Sequence, residues 1–179
     1  MAAFVALVRA VNLPGTNRLA MSALRDLVAA LGFSDAQTLL QSGNVVFRGA
    51  AAKSDELETA LEREAARRLG LRTDFIVRTA KEWGGVVARN PFADEAERDP
   101  ARLIVAFLKA SANAKDVAAL QAAIKGNEVV RGNGREAYIV YPDGQGRSKL
   151  TLPVIEKALG TRATARNWNT VRKLEALSR

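Results

Sequence analysis

Two polar, basic stretches in the second half of the chain hold the residue types best suited to chemistry. They span residues 142–149 and 165–170, and each leads into a predicted helix. Unpaired backbone N–H groups and the positive end of the helix dipole favour anions at such a position. From residue 147 onwards the chain carries eight Lys or Arg residues against two acidic ones. We therefore predict an anion site here, with phosphate as the obvious ligand. The predicted anion-binding residues are Arg147, Ser148, Lys149, Arg166, Asn167 and Asn169.

A second polar cluster is predicted in the first half of the chain. The loop 9–18 follows a predicted strand, and a tight turn at 41–44 joins the next two strands. The first two strands are expected to run in the same direction, so this loop and this turn share an edge of the sheet. Amide, hydroxyl and guanidinium groups there suit a small anion or a hydrogen-bonding ligand. Alternatively, the Asn and Gly residues serve turn geometry. The cluster comprises Arg9, Asn12, Asn17, Gln41, Ser42 and Asn44.

Catalytic chemistry is restricted by two missing residue types. The sequence contains no His and no Cys. Their absence excludes Cys/His and Ser-His-Asp nucleophilic sites, imidazole acid–base catalysis and zinc sites with N or S ligands. Lys, Tyr, Asp/Glu or Ser/Thr chemistry, or a hard cation held by carboxylates, remains open. The enzyme hypothesis is action on a small phosphorylated substrate, with Lys149 or Asp143 reacting and with Arg147 and Arg166 as clamps. We predict no metal site and no cofactor.

The composition is typical of a soluble globular protein. Of the 179 residues, 48% are hydrophobic, and no apolar run reaches the length of a membrane span. The first residues resemble a strand more than a signal peptide, and the lack of Cys fits a cytoplasmic location. A net charge of +8 favours an anionic partner, either a phosphate-bearing small molecule or nucleic acid. A basic surface also follows from Arg-rich composition alone, and a protein-interaction module that docks an acidic partner is a further alternative.

The hydrophobic pattern predicts the same order of elements twice. Strands of the first half are predicted at 4–8, 36–41, 45–48 and 74–78. Its second helix is predicted to begin with Ser54 as the cap and to end at Gly70. A helix at 80–88 and an acidic, Pro-flanked linker follow. In the second half, strands are predicted at 102–108, 128–131, 136–141 and 161–165, with a hairpin at Gly132-Asn133-Gly134.

This order predicts an α+β fold of two ferredoxin-like (βαββαβ) halves in tandem, each followed by an extra helix. The predicted divisions are 1–89 for the first half, 90–101 for the linker and 102–179 for the second half. Residues 4–8 and 103–108 are apolar at every position, so both faces of each sheet should be covered. A covered sheet argues against RNA binding on an open sheet face. Trp168 shares a predicted helix face with Val171 and Leu174, which indicates a core position.

Four separated motifs, in order, resemble the bacterial domain-of-unknown-function family 1697. They are RAVNLPGTN at 9–17, QSGNVVF at 41–47, DGQGRSKL at 143–150 and TARNWNTV at 164–171. The family pattern often reads Gly-Ile-Asn-Val-Gly-Gly after the first strand; here residues 10–15 keep the Asn and the second Gly but introduce Pro14. The resemblance implies a cytosolic α+β protein of two ferredoxin-like halves. It implies no established activity, so no catalytic role is carried over.

Overall fold

The computed structural model describes residues 1–179, except for the side chain of Asn133. The chain is α+β and forms two antiparallel sheets, one of four strands and one of three. It divides into two compact units, Met1–Gly85 with Leu174–Arg179, and Val86–Lys173. The predicted linker 90–101 therefore lies inside the second unit. Among the residues described, no helix combines the length and the apolar character needed to cross a membrane.

The first unit contains four strands and the helices between them. Its elements are β1 (Ala2–Val8), α1 (Met21–Ala30), β2 (Ser34–Thr38), β3 (Asn44–Gly49), α2 (Ser54–Leu69), β4 (Phe75–Thr79) and the start of α3 (Ala80–Ala88). The strands lie in the order β2-β3-β1-β4, and all neighbours are antiparallel. Strands β1 and β2 consequently end at the same edge of the sheet, which brings the loop after β1 beside the turn after β2.

Helices α1 and α2 cover one face of this sheet. Phe4, Ala6 and Val8 of β1 pack in one cluster with Leu24 of α1 and Leu61 of α2. Their alternating neighbours at positions 5 and 7 are just as buried, with 0% of their surface exposed. Because successive side chains of a strand point to opposite faces, both faces of β1 are covered, as its unbroken apolar sequence predicts.

The predicted cap of α2 is wrong. The capping position is Lys53, and Ser54 is the first helical residue. The Ser54 hydroxyl instead donates to Glu82 Oε2 at 2.6 Å, and the same oxygen accepts the backbone N–H of Thr79 at 2.7 Å. The serine therefore links the start of α2 to the start of α3. At the other end of α2, Gly70 adopts the predicted left-handed conformation, with φ 62°.

The second unit is built on a three-stranded sheet. Its elements are the end of α3, α4 (Ala93–Arg98), β5 (Leu103–Ala112), α5 (Ala114–Ala123), β6 (Val129–Val140), α6 (Leu152–Leu159), β7 (Ala163–Asn167) and most of α7 (Trp168–Ser178). The strand order is β6-β5-β7, again antiparallel. Helices α5 and α6 cover one face, where Leu120 and Ile155 pack against Ile104 and Ala106 of the central strand.

The chain bends back within β6. Extended conformation continues through the whole of Val129–Val140, where the sequence predicts two strands. However, Gly132 has φ 127°, and a Cβ atom there would lie 2.7 Å from the carbonyl oxygen of Glu136. Four residues of a straight strand span about 13 Å, so this approach requires the chain to turn at the predicted hairpin position. The side chain of Asn133, in that turn, lies outside the described residues.

Two further segments differ in detail from the sequence prediction. The predicted linker contains the short helix α4, which places Asp94 and Glu95 in its first turn and Arg98 in its last, as the helix dipole favours. The strand predicted at 161–165 begins and ends two residues later, as β7. Gly160 ends α6 in a left-handed conformation, and the two residues after it form the connection. The later boundary places Arg166 inside the strand.

Candidate functional site

Asn12 joins the loop after β1 to the turn after β2. Its Nδ2 group donates to the carbonyl oxygens of Leu19 and Gln41 at 2.8 and 2.7 Å. Its Oδ1 atom accepts the backbone N–H of Leu19 at 2.8 Å, and its own N–H donates to the carbonyl of Asn17 at 2.8 Å. The loop and the turn of the predicted polar cluster therefore meet, and the Asn12 amide is engaged in holding their backbones together.

The Asn44 amide has a similar role in the turn itself. The residue is fully buried, and its Nδ2 group donates to the carbonyl oxygen of Leu39 at 2.7 Å and to Ser42 Oγ at 3.0 Å. The backbone N–H of Leu39 in turn donates to the Asn44 carbonyl at 3.0 Å. These contacts agree with the turn-geometry interpretation of Asn44.

The remaining polar residues lie around this pair of segments. The Arg9 carbonyl accepts the Thr73 hydroxyl at 2.5 Å. The side chains of Asn17 and Gln41 are exposed, while their carbonyl oxygens accept the bonds from Asn12. Asn17 also lines a small cavity of about 220 Å³ beside Gly70. The cluster thus consists of two backbone segments that hydrogen bonds hold together, with a few exposed polar side chains around them.

Substitution of Asn12 by glycine should destabilise the first unit. Glycine accepts the positive φ of 57° at this position, so the change introduces no backbone strain and removes the side-chain hydrogen bonds. Three such bonds contribute about 2–3 kcal/mol in total. Urea-induced unfolding would measure this loss, and Asn17→Ala, which changes an exposed side chain in the same loop, should alter stability by no more than about 0.5 kcal/mol. Equal stability of the two variants would contradict a locking role for Asn12.

A cavity of the second unit lies beside α5 and α6. Its volume is about 500 Å³. Leu120, Ile124 and Leu150 give it an aliphatic floor, and Arg147 and Lys149 reach it from the loop that precedes α6. Two of the residues predicted to bind an anion are therefore found together in one concave site.

The loop that carries Arg147 and Lys149 is held by hydrogen bonds. The Ser148 hydroxyl donates to Glu128 Oε1 at 2.6 Å, and the same oxygen of Ser148 accepts the backbone N–H of Leu150 at 3.0 Å. Asn127 Nδ2 donates to Asp143 Oδ2 at 2.9 Å. Ser148, predicted as an anion ligand, thus faces a carboxylate and holds the loop backbone between the two cations.

Tyr141 is a buried residue that contacts the lining of the cavity. Its hydroxyl donates to the carbonyl oxygen of Leu150, a lining residue, at 2.9 Å. Burial of the phenol raises its pKa, and the negative charge of Glu128 raises it further. The hydroxyl therefore remains a protonated donor, which keeps the Leu150 carbonyl satisfied next to the aliphatic floor.

Arg166 is not brought to this cavity. Ala165 packs with the hydrophobic cluster under α5 and α6, so strand alternation places the Arg166 side chain on the opposite face of the sheet. Its Nη1 atom donates to Thr164 Oγ1 at 2.7 Å and to the Ala165 carbonyl at 2.8 Å. Burial lowers the Arg166 pKa to about 10. The predicted pairing of Arg166 with Arg147 across one cleft is not what the structure shows.

The two asparagines predicted beside Arg166 lie at the start of α7. Asn167 Oδ1 accepts the backbone N–H of Thr170 at 3.0 Å, which is the contact of a helix cap. Asn169 is exposed in the first turn of the helix. Their positions suit the folding of α7, and the lining of the 500 Å³ cavity does not include them.

Comparison with known proteins gives the family and the fold. The model of a family described as "Protein of unknown function (DUF1697)" matches residues 1–138. The chain belongs to this family. A solved structure described as conserved bacterial protein SP0830 from Streptococcus pneumoniae is 21% identical, with a TM-score of 0.78 over 99% of each chain. At that identity the likeness shows the fold alone. The search of curated proteins found no match.

The segment that the family model matches includes some of the residues that line the cavity of this DUF1697 chain and excludes others. Lys125 and Glu128, which also line the cavity, lie within the matched segment, whereas Arg147 and Lys149 lie beyond it. Sequence reasoning missed the first two. A topological signal was available, because α5 runs back across the sheet and ends at the edge where β6 also ends. Loops that leave the sheet at the same edge lie close together. By this reasoning Lys125 lies near the loop 141–149.

Proposed function

We propose that this DUF1697 protein binds a small anionic ligand in the cavity of the second unit. The observation that supports the proposal is the presence of Lys125, Arg147 and Lys149 around one cavity of about 500 Å³. That volume falls in the range common to ligand sites, roughly 300–1,000 Å³. Among the described lining residues, Glu128 is the one carboxylate, and the Ser148 hydroxyl donates to it. The lining therefore has an excess of positive charge.

The kinds of cation indicate the kind of anion. A guanidinium group can bind two oxygens of a phosphate or carboxylate at once, whereas an ammonium group acts as a compact point charge. Arg147 and Lys149 supply one of each from the same loop, with exposed side chains. A concave site with an aliphatic floor suits a small molecule better than it suits the backbone of a nucleic acid, which binds along extended basic grooves.

Calorimetric titration of the purified full chain with octyl phosphate and with inorganic pyrophosphate tests the proposal. We expect saturable binding that weakens as salt is raised. The double variant Arg147→Gln, Lys149→Gln should bind at least about tenfold more weakly, because hydrogen bonds to charged groups contribute about 1.5–3 kcal/mol each. The matched control is Lys115→Gln, which removes an exposed cation from the other end of α5.

The outcome that would reject the proposal is equally direct. Affinity that is the same in wild type, in the double variant and in Lys115→Gln would place anion binding elsewhere on the basic surface. Failure of both probes to bind at low salt would remove anion binding altogether. Circular dichroism of each variant would show whether a loss of affinity reflects a loss of folding.

We infer in addition that the scaffold is a duplicated ferredoxin-like unit. The first unit has the βαββαβ order of that fold. A matching pair of buried arginines supports the duplication: Arg78 on β4 lies opposite Val5, and Arg166 on β7 lies opposite Val105. Each Nη1 atom donates to the carbonyl of the preceding residue, at 3.0 and 2.8 Å. The same contact thus recurs at the same register position of both sheets.

A further inference from the structure

The floor of the second-unit cavity is made of aliphatic side chains. Leu120 and Leu150 are each 5% exposed and belong to the core cluster of the unit, and Ile124 packs against the same cluster. Ala123 and Val154 complete the apolar part of the lining. Val154 is 44% exposed, so the apolar surface continues outwards to where solvent reaches it. A ligand that covers this surface gains from removing it from water.

The cations lie beside this aliphatic surface and not within it. Lys125, Arg147 and Lys149 all have exposed side chains, and they come from two separate segments, the loop after α5 and the loop before α6. Glu128 offsets part of their charge and is held by Ser148. The cavity therefore presents an apolar interior next to a cationic exterior.

The lining also restricts the ligand by what it lacks. None of the described residues that line the cavity is aromatic, and none carries a side-chain amide. Sites that hold a nucleobase commonly stack it on an aromatic ring and read its edge with hydrogen-bonding side chains. The chemistry of this lining consequently favours a flexible aliphatic group over a base.

We infer that the ligand is an aliphatic chain that ends in an anionic headgroup, a phosphate or a carboxylate. The chain would lie on Leu120, Ile124 and Leu150, and the headgroup would lie between Arg147, Lys149 and Lys125. This inference rests on the proposed anion-binding function and adds the chemical class of the ligand. The aliphatic side chains would bind the alkyl chain and the cations would bind the headgroup, so each of these two parts of the lining can be tested alone.

A chain-length series separates the two roles. We would titrate the full chain with butyl, hexyl and octyl phosphate below their aggregation limits, and with AMP and pyrophosphate as anions without an alkyl chain. Burial of each methylene stabilises a complex by about 0.8 kcal/mol, which is close to a fourfold gain in affinity per methylene. The expected result is a steep rise from butyl to octyl phosphate, with AMP and pyrophosphate bound more weakly than octyl phosphate. Octanoate should bind as octyl phosphate does, because it too joins an alkyl chain to an anionic group. Uncharged octanol should bind poorly.

A substitution at the floor provides the matched variant. Ala123→Leu fills part of the cavity from an exposed position on α5, and Ala122→Leu makes the same change at the neighbouring exposed position outside the lining. We expect Ala123→Leu to reduce the affinity for octyl phosphate at least about fivefold and the affinity for pyrophosphate by less, while the circular dichroism spectra of the two variants match that of the wild type. Ala122→Leu should bind like the wild type.

The possible outcomes distinguish this inference from the proposed function. Affinity that depends on Arg147 and Lys149 but not on chain length would overturn the aliphatic ligand and leave anion binding intact. AMP binding more tightly than octyl phosphate would do the same. Binding to vesicles that contain phosphatidic acid, without binding to monomeric octyl phosphate, would overturn the inference in favour of a membrane surface. Loss of all anion binding would remove both proposals together.

Discussion

Replacing Trp168 with alanine is expected to lower the free energy of unfolding by about 3–5 kcal/mol. The indole is 5% exposed at the start of α7, and Val171 and Leu174 on the same face of the helix are 0% exposed. Removal of so large a buried side chain loses its transfer free energy and leaves a cavity that its neighbours fill only in part. Urea-induced unfolding followed by far-ultraviolet circular dichroism would measure the change without relying on tryptophan fluorescence.

The matched control for this substitution is a change at Asn169, two residues after the helix cap Asn167. Asn169 is exposed in the same helical turn, so Asn169→Ala should change stability by no more than about 0.5 kcal/mol. Trp168→Phe keeps an aromatic ring in the core and should give an intermediate loss. A Trp168→Ala variant that unfolds like the wild type but no longer binds octyl phosphate would show that the indole lines a ligand site.

Replacing Gly43 with alanine is expected to cost about 2–5 kcal/mol, from two separate physical causes. Gly43 has φ 88°, a conformation that costs an L-residue about 1–2 kcal/mol. A Cβ atom there would also lie 2.9 Å from Val8 Cβ and 3.1 Å from Val11 Cγ2. Val8 cannot easily withdraw, because it is buried and its N–H donates to the Gly43 carbonyl at 2.9 Å.

A second glycine of the same loop system separates these causes. Gly15 has φ 77°, and a Cβ atom there would meet nothing within 4 Å. Gly15→Ala should therefore lose only the backbone part, about 1–2 kcal/mol. The difference between the two variants, measured by urea-induced unfolding, is the contribution of the close approach to Val8. Equal losses would mean that β1 and the turn adjust at little cost.

Much of the fold follows from local signals in the sequence. The helix predicted at 80–88 is α3 with the same bounds, because its apolar residues recur at helical spacing directly after a strand. Gly70 and Gly160 end α2 and α6 in left-handed conformations, as glycine readily does. The actual role of Ser54 could not be predicted, because the partner of its hydroxyl, Glu82, is distant in sequence. A residue typical of caps was instead used to link two helices.

The candidate site was predicted less completely, and the reason is the residue at which one strand ends. The sequence places Arg166 in a loop, where it could turn towards Arg147. In the structure β7 continues through Asn167, and the strand fixes the direction of each side chain in it. Because Arg166 lies within the strand, the alternation of side chains places it on the face opposite Ala165, which packs with the cluster under α5 and α6. Arg147 and Lys149 lie in a loop outside the strands, and both line the 500 Å³ cavity.

The last residues of the chain have a consequence for biosynthesis. Leu174–Arg179 belong to the first compact unit, and Nη2 of Arg48 on β3 donates to the carbonyl oxygens of Leu177 and Arg179 at 3.3 and 2.8 Å. Translation proceeds from the N-terminus, and domains generally fold as units in the order in which they emerge from the ribosome. The N-terminal unit of this protein cannot be completed in that way, since part of it is translated only after the whole of the other unit.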